Sequence, residues 1–199
     1  MRHGNFSKKY TSNLDEGLPT WLQLKDATNT QITQMTDSLG GIKLNRISNS
    51  GEKRLDFIRT IDENLSAIGI SVILNGLVYS VDNTLDIGLY GDENNYIFLR
   101  FRQWATDPAS LIYSVDGVET QVTELQVQNI HSNKFRKYQV FYNFKTKVFE
   151  VIKNDSGVYV SLDNINIDKA GMRPMLRWNN SAVTANDRLA FIEIENFYL

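Results

Sequence analysis

The sequence predicts an all-β protein, an antiparallel β-sandwich, on three observations. Apolar and polar residues alternate in short runs, clusters of turn-forming residues separate those runs at close intervals, and no stretch makes a convincing amphipathic helix. The clearest run is Leu85 to Trp104. Leu85, Ile87 and Leu89 alternate with Asp86, Gly88 and Tyr90; Gly91-Asp92-Glu93-Asn94-Asn95 is a turn; Ile97, Leu99 and Phe101 then alternate with Phe98, Arg100 and Arg102. This predicts a hairpin with one apolar face on each arm.

Composition sets bounds on function. A chain of 199 residues with 42% hydrophobic and 11% aromatic content can bury a sizeable core, and a sandwich of this length is expected as one domain over residues 1–199. A net charge of −2 gives no global field for nucleic acid or a membrane, so neither is an expected partner. The chain has no cysteine, which excludes disulfides and thiolate metal sites. Residues 1–20 lack the apolar core of a secretory signal, and the most apolar window, Ala67 to Tyr79, is too short to span a bilayer. A soluble protein is expected, at an extracellular or virion surface.

Taken in order, residues 5–22 are polar, with a bend at Gly17-Leu18-Pro19, and residues 26–37 read as a loop holding one weak strand. Gly40-Gly41 introduces an alternating strand from Ile42 to Ile47, and Asn49 to Glu52 turn the chain into Leu55 to Ile61. Ile70–Leu74 and Leu77–Val81 flank Asn75-Gly76, which makes either a hairpin or a continuous bulged strand. Leu111–Val115 runs into a hairpin turn at Asp116-Gly117. Residues 117–130 fit both helical spacing (Val118, Val122, Leu125) and strand propensity (Thr120, Val122, Thr123), and are read as strand. Arg136–Phe144, Val148–Ile152 and Val158–Leu162 form a three-strand meander around turns at Lys145-Thr146 and Asn154 to Gly157. Met172–Trp178 and Leu189–Leu199 are the last strands, on either side of a polar loop. An early strand is expected beside the closing one, because otherwise both leave open edges.

This order of pieces resembles the concanavalin A-like lectin/glucanase superfamily, a jelly roll shared by laminin-G-type modules, legume-type lectins and several glycosidases. The resemblance rests on Leu18-Pro19-Thr20-Trp21, the glycine-led strand at Gly40-Gly41-Ile42, the Gly88 to Tyr96 hairpin, the run from Lys137, and the closing Ile192 to Tyr198. It implies a jelly-roll sandwich and a glycan or surface polysaccharide as partner. Retaining glucanases of this superfamily carry a pattern close to E-x-D-x-x-E; the nearest match is Glu193-Ile194-Glu195-Asn196-Phe197-Tyr198, whose third carboxylate position is Tyr198.

Chemistry therefore has two places to sit. Glu193 and Glu195 share one face of a strand, about 7 Å apart at Cα, as a glycosidase pair would or as ordinary sheet carboxylates paired with Arg or Lys. On the second hairpin arm, Tyr96, Phe98, Arg100, Arg102 and Trp104 share a face, and Arg173 and Arg177 share another. Aromatic rings stack on sugars and guanidinium groups bind hydroxyl or acidic groups; the same residues could equally fill a surface by stacking and pairing. The expected ligand-binding set is Tyr96, Phe98, Arg100, Arg102, Trp104, Arg177, Glu193 and Glu195, with the two glutamates offsetting the arginines. Trp21 and Trp178 are expected in core or rim packing.

Only His3 and His131 are available for histidine chemistry, and no phosphate loop or nucleophile elbow is present. No cofactor is expected. Asp92 to Asn95 and Asn154-Asp155 offer oxygen ligands of the kind calcium takes, but turns use the same residues. The sequence thus points first to a non-catalytic carbohydrate-binding module. A structural or adhesion component of a phage tail or surface appendage, packing against copies or particle subunits, is the second reading, and a polysaccharide-degrading enzyme the third.

Overall fold

The computed structural model describes residues 6–25, 30–36, 40–46, 53–75, 84–102, 109–122, 125, 135–153, 157–179 and 187–198. Among them regular structure is entirely β, in two antiparallel sheets. Sheet A holds β1 (Phe6–Ser12), β3 (Thr30–Gln34), β4 (Ile42–Arg46), β6 (Ala67–Asn75), β11 (Arg136–Asn143), β12 (Val148–Lys153), β13 (Val158–Leu162) and β15 (Asp187–Tyr198). Its order is β13-β12-β11-β6-β15-β4-β3, with β1 also paired to β15. Sheet B, in the order β10-β9-β8-β7-β14-β5-β2, holds β2 (Leu22–Lys25), β5 (Lys53–Phe57), β7 (Thr84–Asp92), β8 (Asn95–Arg102), β9 (Ser110–Val115), β10 (Val118–Val122) and β14 (Arg173–Asn179). No helix of the described residues is long and apolar enough to cross a membrane.

The strand period of two decides which side chains meet between the sheets. Ile70, Val72, Tyr138, Val140, Ile192 and Ile194 of sheet A face Leu85, Ile87, Leu89, Ile97, Leu99, Phe101, Leu111 and Leu176 of sheet B, all buried in one cluster. Phe101 meets Tyr138 edge-on across the interior at 4.7 Å. The expected hairpin is β7–β8, with a bulge between Tyr90 and Asp92, and the meander is β11–β12–β13. Asp116 (φ 52°) and Gly117 (φ 78°) make the two-residue turn between β9 and β10 with both residues left-handed. Of residues 117–130, Val118–Val122 are strand, Gly117 belongs to the turn and Leu125 is outside regular structure; residues 123–124 and 126–130 lie outside the described residues, as do 76–81.

Several boundaries differ from the sequence reading: β6 begins at Ala67, three residues before Ile70, and β14 is shifted by one residue to Arg173–Asn179. Residues 6–12, read only as polar, are strand β1, because an edge strand with Ser7, Lys9 and Thr11 toward water needs only one neighbour to hold it. Lys53–Phe57 is strand, whereas the expected continuation to Ile61 ends at Phe57. The closing strand begins at Asp187, two residues early. It lies between β6 on one flank and β4 and β1 on the other, so an early and a late strand do close the sheet.

Candidate functional site

Strand registers place the outward side chains of sheet B in cross-strand rows. One row runs Lys25, Arg54, Arg177, Asp86, Arg100, Ser110; the next runs Gln23, Asp56, Met175, Gly88, Phe98, Ile112, Gln121; a third holds Arg173, Tyr90, Tyr96, Ser114 and Glu119. Four cations thus meet two carboxylates in the first two rows. Asp86 is 0% exposed and takes both neighbouring guanidinium groups. Arg100 Nε donates to Oδ1 at 2.7 Å and Nη2 to Oδ2 at 2.9 Å, while Arg177 Nε and Nη2 donate to Oδ2 at 2.9 and 2.7 Å. One charge cannot cancel two, so this trio keeps a net positive charge. The hydrogen bonds to Asp86 hold the Arg100 guanidinium above its ordinary pKa against the opposing effect of burial.

The aromatic side chains build on the same frame. Gly88 is where β8 comes closest: a Cβ there would stand 2.0 Å from the Ile97 carbonyl oxygen and 2.9 Å from Phe98 Cα. Phe98 is fully buried under its neighbours, although it faces outward. Tyr96 stacks on it at 4.9 Å and 7°, Tyr90 at 6.3 Å and 12°, and the Arg177 guanidinium sits 4.8 Å from its centroid. Arg54 lies 4.8 Å from the Tyr90 ring centroid and pairs with buried Asp56 at 2.8 Å. Tyr96 donates its phenolic hydrogen to Glu119.

Burial, and then the Glu119 carboxylate, push the Tyr96 phenol up to about 12. A folded-state value above the unfolded value of about 10 favours the folded state fully below that pH and is lost as pH rises through about 12. Tyr138 and Tyr142, raised chiefly by burial, act in the same direction, and Lys153, lowered by burial, opposes them. Urea midpoints at about pH 9 and about pH 11.5 should therefore show alkaline destabilisation that Tyr96→Phe reduces. An unchanged pH slope in the variant would refute this coupling.

The expected set divides. Tyr96, Phe98, Arg100 and Arg177 come together on the outer face of sheet B, with Arg102 opposite Thr84 on the same strand pair and its side chain outside the described residues, as Trp104 is. Glu193 and Glu195 do not join them. They project from the outer face of sheet A, on the far side of the sandwich, where Lys9 Nζ bridges them at 3.6 and 3.2 Å. The expected offsetting of the arginines by these glutamates is corrected: the offset comes from Asp86, next door on β7. The two glutamates, first Glu195, raise the Lys9 pKa. Phe98 also differs from the expected stacking platform, since its faces are already covered.

Trp21 packs with Tyr10 and Phe57, as a rim residue should. Asp92 accepts the Asn94 backbone N–H at 2.8 Å, ordinary turn chemistry; Trp178's side chain, Asn154, Asp155, His3 and His131 lie outside the described residues. No group of three or more His, Asp or Glu side chains forms a metal cage among the described residues. Sequence reasoning missed Asp86, Asp56, Arg54 and Tyr90. Asp86 left a signal: a carboxylate on the outward phase of a strand whose other face is apolar.

Solved structures settle the architecture. A protein of unknown function from Shewanella oneidensis MR-1, SO2946, superposes with TM-score 0.69 at 12% identity, over 98% of this chain and 87% of its own. Lectin II from Ulex europaeus matches at TM-score 0.61 and 10% identity, over 96% and 99%. A β-glucanase from Bacillus licheniformis matches at 0.62 and 16%, over 98% and 99%. The fold is the concanavalin A-like jelly roll. At these identities the likeness is one of fold, and a jelly roll hosts unrelated activities. No family model matches the sequence, and no curated protein does.

Proposed function

We propose that the chain, as one module over residues 1–199, is a non-catalytic binder of a glycan or cell-surface polymer, and that the ligand lies on the outer face of sheet B. The observation that carries this reading is the Asp86 clamp. It holds two guanidinium groups in fixed orientation beside the Tyr96–Phe98–Tyr90 stack, with 18% of the Arg100 and Arg177 side chains still in water. Pre-oriented donors lower the entropic cost of binding a flexible, hydroxyl-rich or acidic polymer, and an aromatic rim supplies apolar contact. The lectin-like architecture supports the same reading.

A glycan array probed with and without calcium tests it, using the wild type, Arg100→Lys and Tyr96→Ala. Lysine keeps the charge and loses the planar fork, so Arg100→Lys should fold normally and lose at least tenfold in binding, about 1.4 kcal/mol. A wild type that binds nothing on either array, or variants that bind as well as it does, would refute the proposal.

A further inference from the structure

On the outer face of sheet A, Gly69 sits mid-strand in β6 between Glu195 of β15 and Phe141 of β11. Its backbone is not left-handed, and an added Cβ would meet Phe141 Cδ2 and Phe197 Cε2 each at 3.8 Å, ordinary contact. Neither conformation nor crowding requires glycine here, although glycine in a strand interior is destabilising relative to alanine. Gly69 floors part of a hollow of about 250 Å³. Gly69 and Ser71 line it together with Phe141 and Phe197, whose rings meet edge-on at 5.6 Å.

The polar lining is acidic. Glu150, Glu193 and Glu195 border the hollow with Gln139, and Lys9 reaches Glu193 and Glu195 from the edge strand with half its side chain in water. Three carboxylates against one ammonium leave two negative charges beside an apolar wall. Lys9 also demonstrates the chemistry of the pair: Glu193 and Glu195 together hold a primary ammonium.

We propose that this hollow is a second binding site, for a sugar unit carrying a protonated amine. The ring's C–H face packs against Phe141 and Phe197, the space over Gly69 admits the ring, and the ammonium takes the carboxylates in place of Lys9. A bare alkylammonium needs the carboxylates alone, not a glycine-floored aromatic hollow, and the charge disfavours acidic sugars. The site is on the opposite face from the Asp86 clamp and independent of it.

Calorimetric titration at about pH 5.5, where an aliphatic amine is protonated, tests this with three probes. They are a β-1,4-glucosamine tetramer, its N-acetylated counterpart and a lysine tetramer. The glucosamine tetramer should bind at least tenfold more tightly than either other probe. Gly69→Val should occupy the floor of the hollow where the ring packs and abolish binding without lowering the melting temperature; Glu195→Gln should weaken it severalfold; Lys9→Ala, removing the internal competitor, should tighten it. Arg100→Lys should leave it unchanged. Equal binding of the N-acetylated tetramer or the lysine tetramer, retained binding in Gly69→Val, or no binding of the glucosamine tetramer would overturn the proposal. Should Gly69→Val fail to fold, Glu195→Gln and Lys9→Ala decide, and unchanged affinity in both overturns it.

Discussion

Deletion of residues 190–199 should abolish cooperative folding. Strand β15 runs along β6 from Arg188 to Phe197 and along β1 from Ile192 to Tyr198, so its loss strips a ladder from a central strand and leaves β1 with nothing to pair. Ile192 and Ile194, 2% and 0% exposed, leave the core with it. Burial of two such side chains contributes about 3–6 kcal/mol, before counting backbone groups left unpaired on both flanks. Domains are typically stable by about 5–15 kcal/mol in total, so the remainder should not hold. Loss of the near-ultraviolet circular dichroism signal and of any sharp thermal transition is expected. A truncated protein melting at the wild-type temperature would show that β15 is an appendage.

Asp86→Ala should have the next largest effect. Removing one partner of a buried ion pair costs about 3–5 kcal/mol, and here the carboxylate serves two cations, which would then face each other across β7 with no carboxylate between them. Both arginines keep part of their side chains in water and can turn outward, which places the expectation near 3 kcal/mol, on the order of 6–12 °C in melting temperature for a chain of this size. Asp86→Asn keeps the volume and one acceptor oxygen and should lose less. A polyvalent anion such as sulfate should recover part of the loss in Asp86→Ala beyond what chloride does at equal ionic strength. An Asp86→Ala protein within 0.5 kcal/mol of wild type, the range of ordinary surface changes, would mean the clamp contributes nothing to folding.

What was legible in the sequence was the face each side chain takes. In Leu85–Arg102 alternation alone separates Ile97, Leu99 and Phe101, all buried between the sheets, from Phe98 and Arg100 outside. Alternation says nothing about which strands are neighbours. Glu193 and Glu195 had the right sign and spacing to meet Arg100, but any two strands share that two-residue repeat, and only the register across β8, β7 and β14 reveals Asp86 between both arginines. Phe98 was misjudged for a related reason. Outward on a strand means exposed only when neighbouring rows carry small side chains, and here Tyr90, Tyr96 and Arg177 close over it. Strand β1 was illegible because its ordering comes from β15, some 180 residues away in the chain, rather than from its own composition. Gly69 carries no signal in the sequence; its surroundings are Phe141 and Phe197, which other strands bring to it.

The pairing of β1 with β15 also decides how the molecule bears tension. Phe6 lies opposite Tyr198 and Ser12 opposite Ile192, so points of attachment at residues 6 and 198 sit side by side at one end of the ladder. A pull applied there loads a single rung at a time, and the ladder peels open like a zip at low force. Attachment at residues 12 and 198 would instead load all seven pairs together in shear, the stiffer geometry. A jelly roll pulled at residues 6 and 198 therefore yields early, β1 coming away before the hydrophobic interior between the sheets is disturbed.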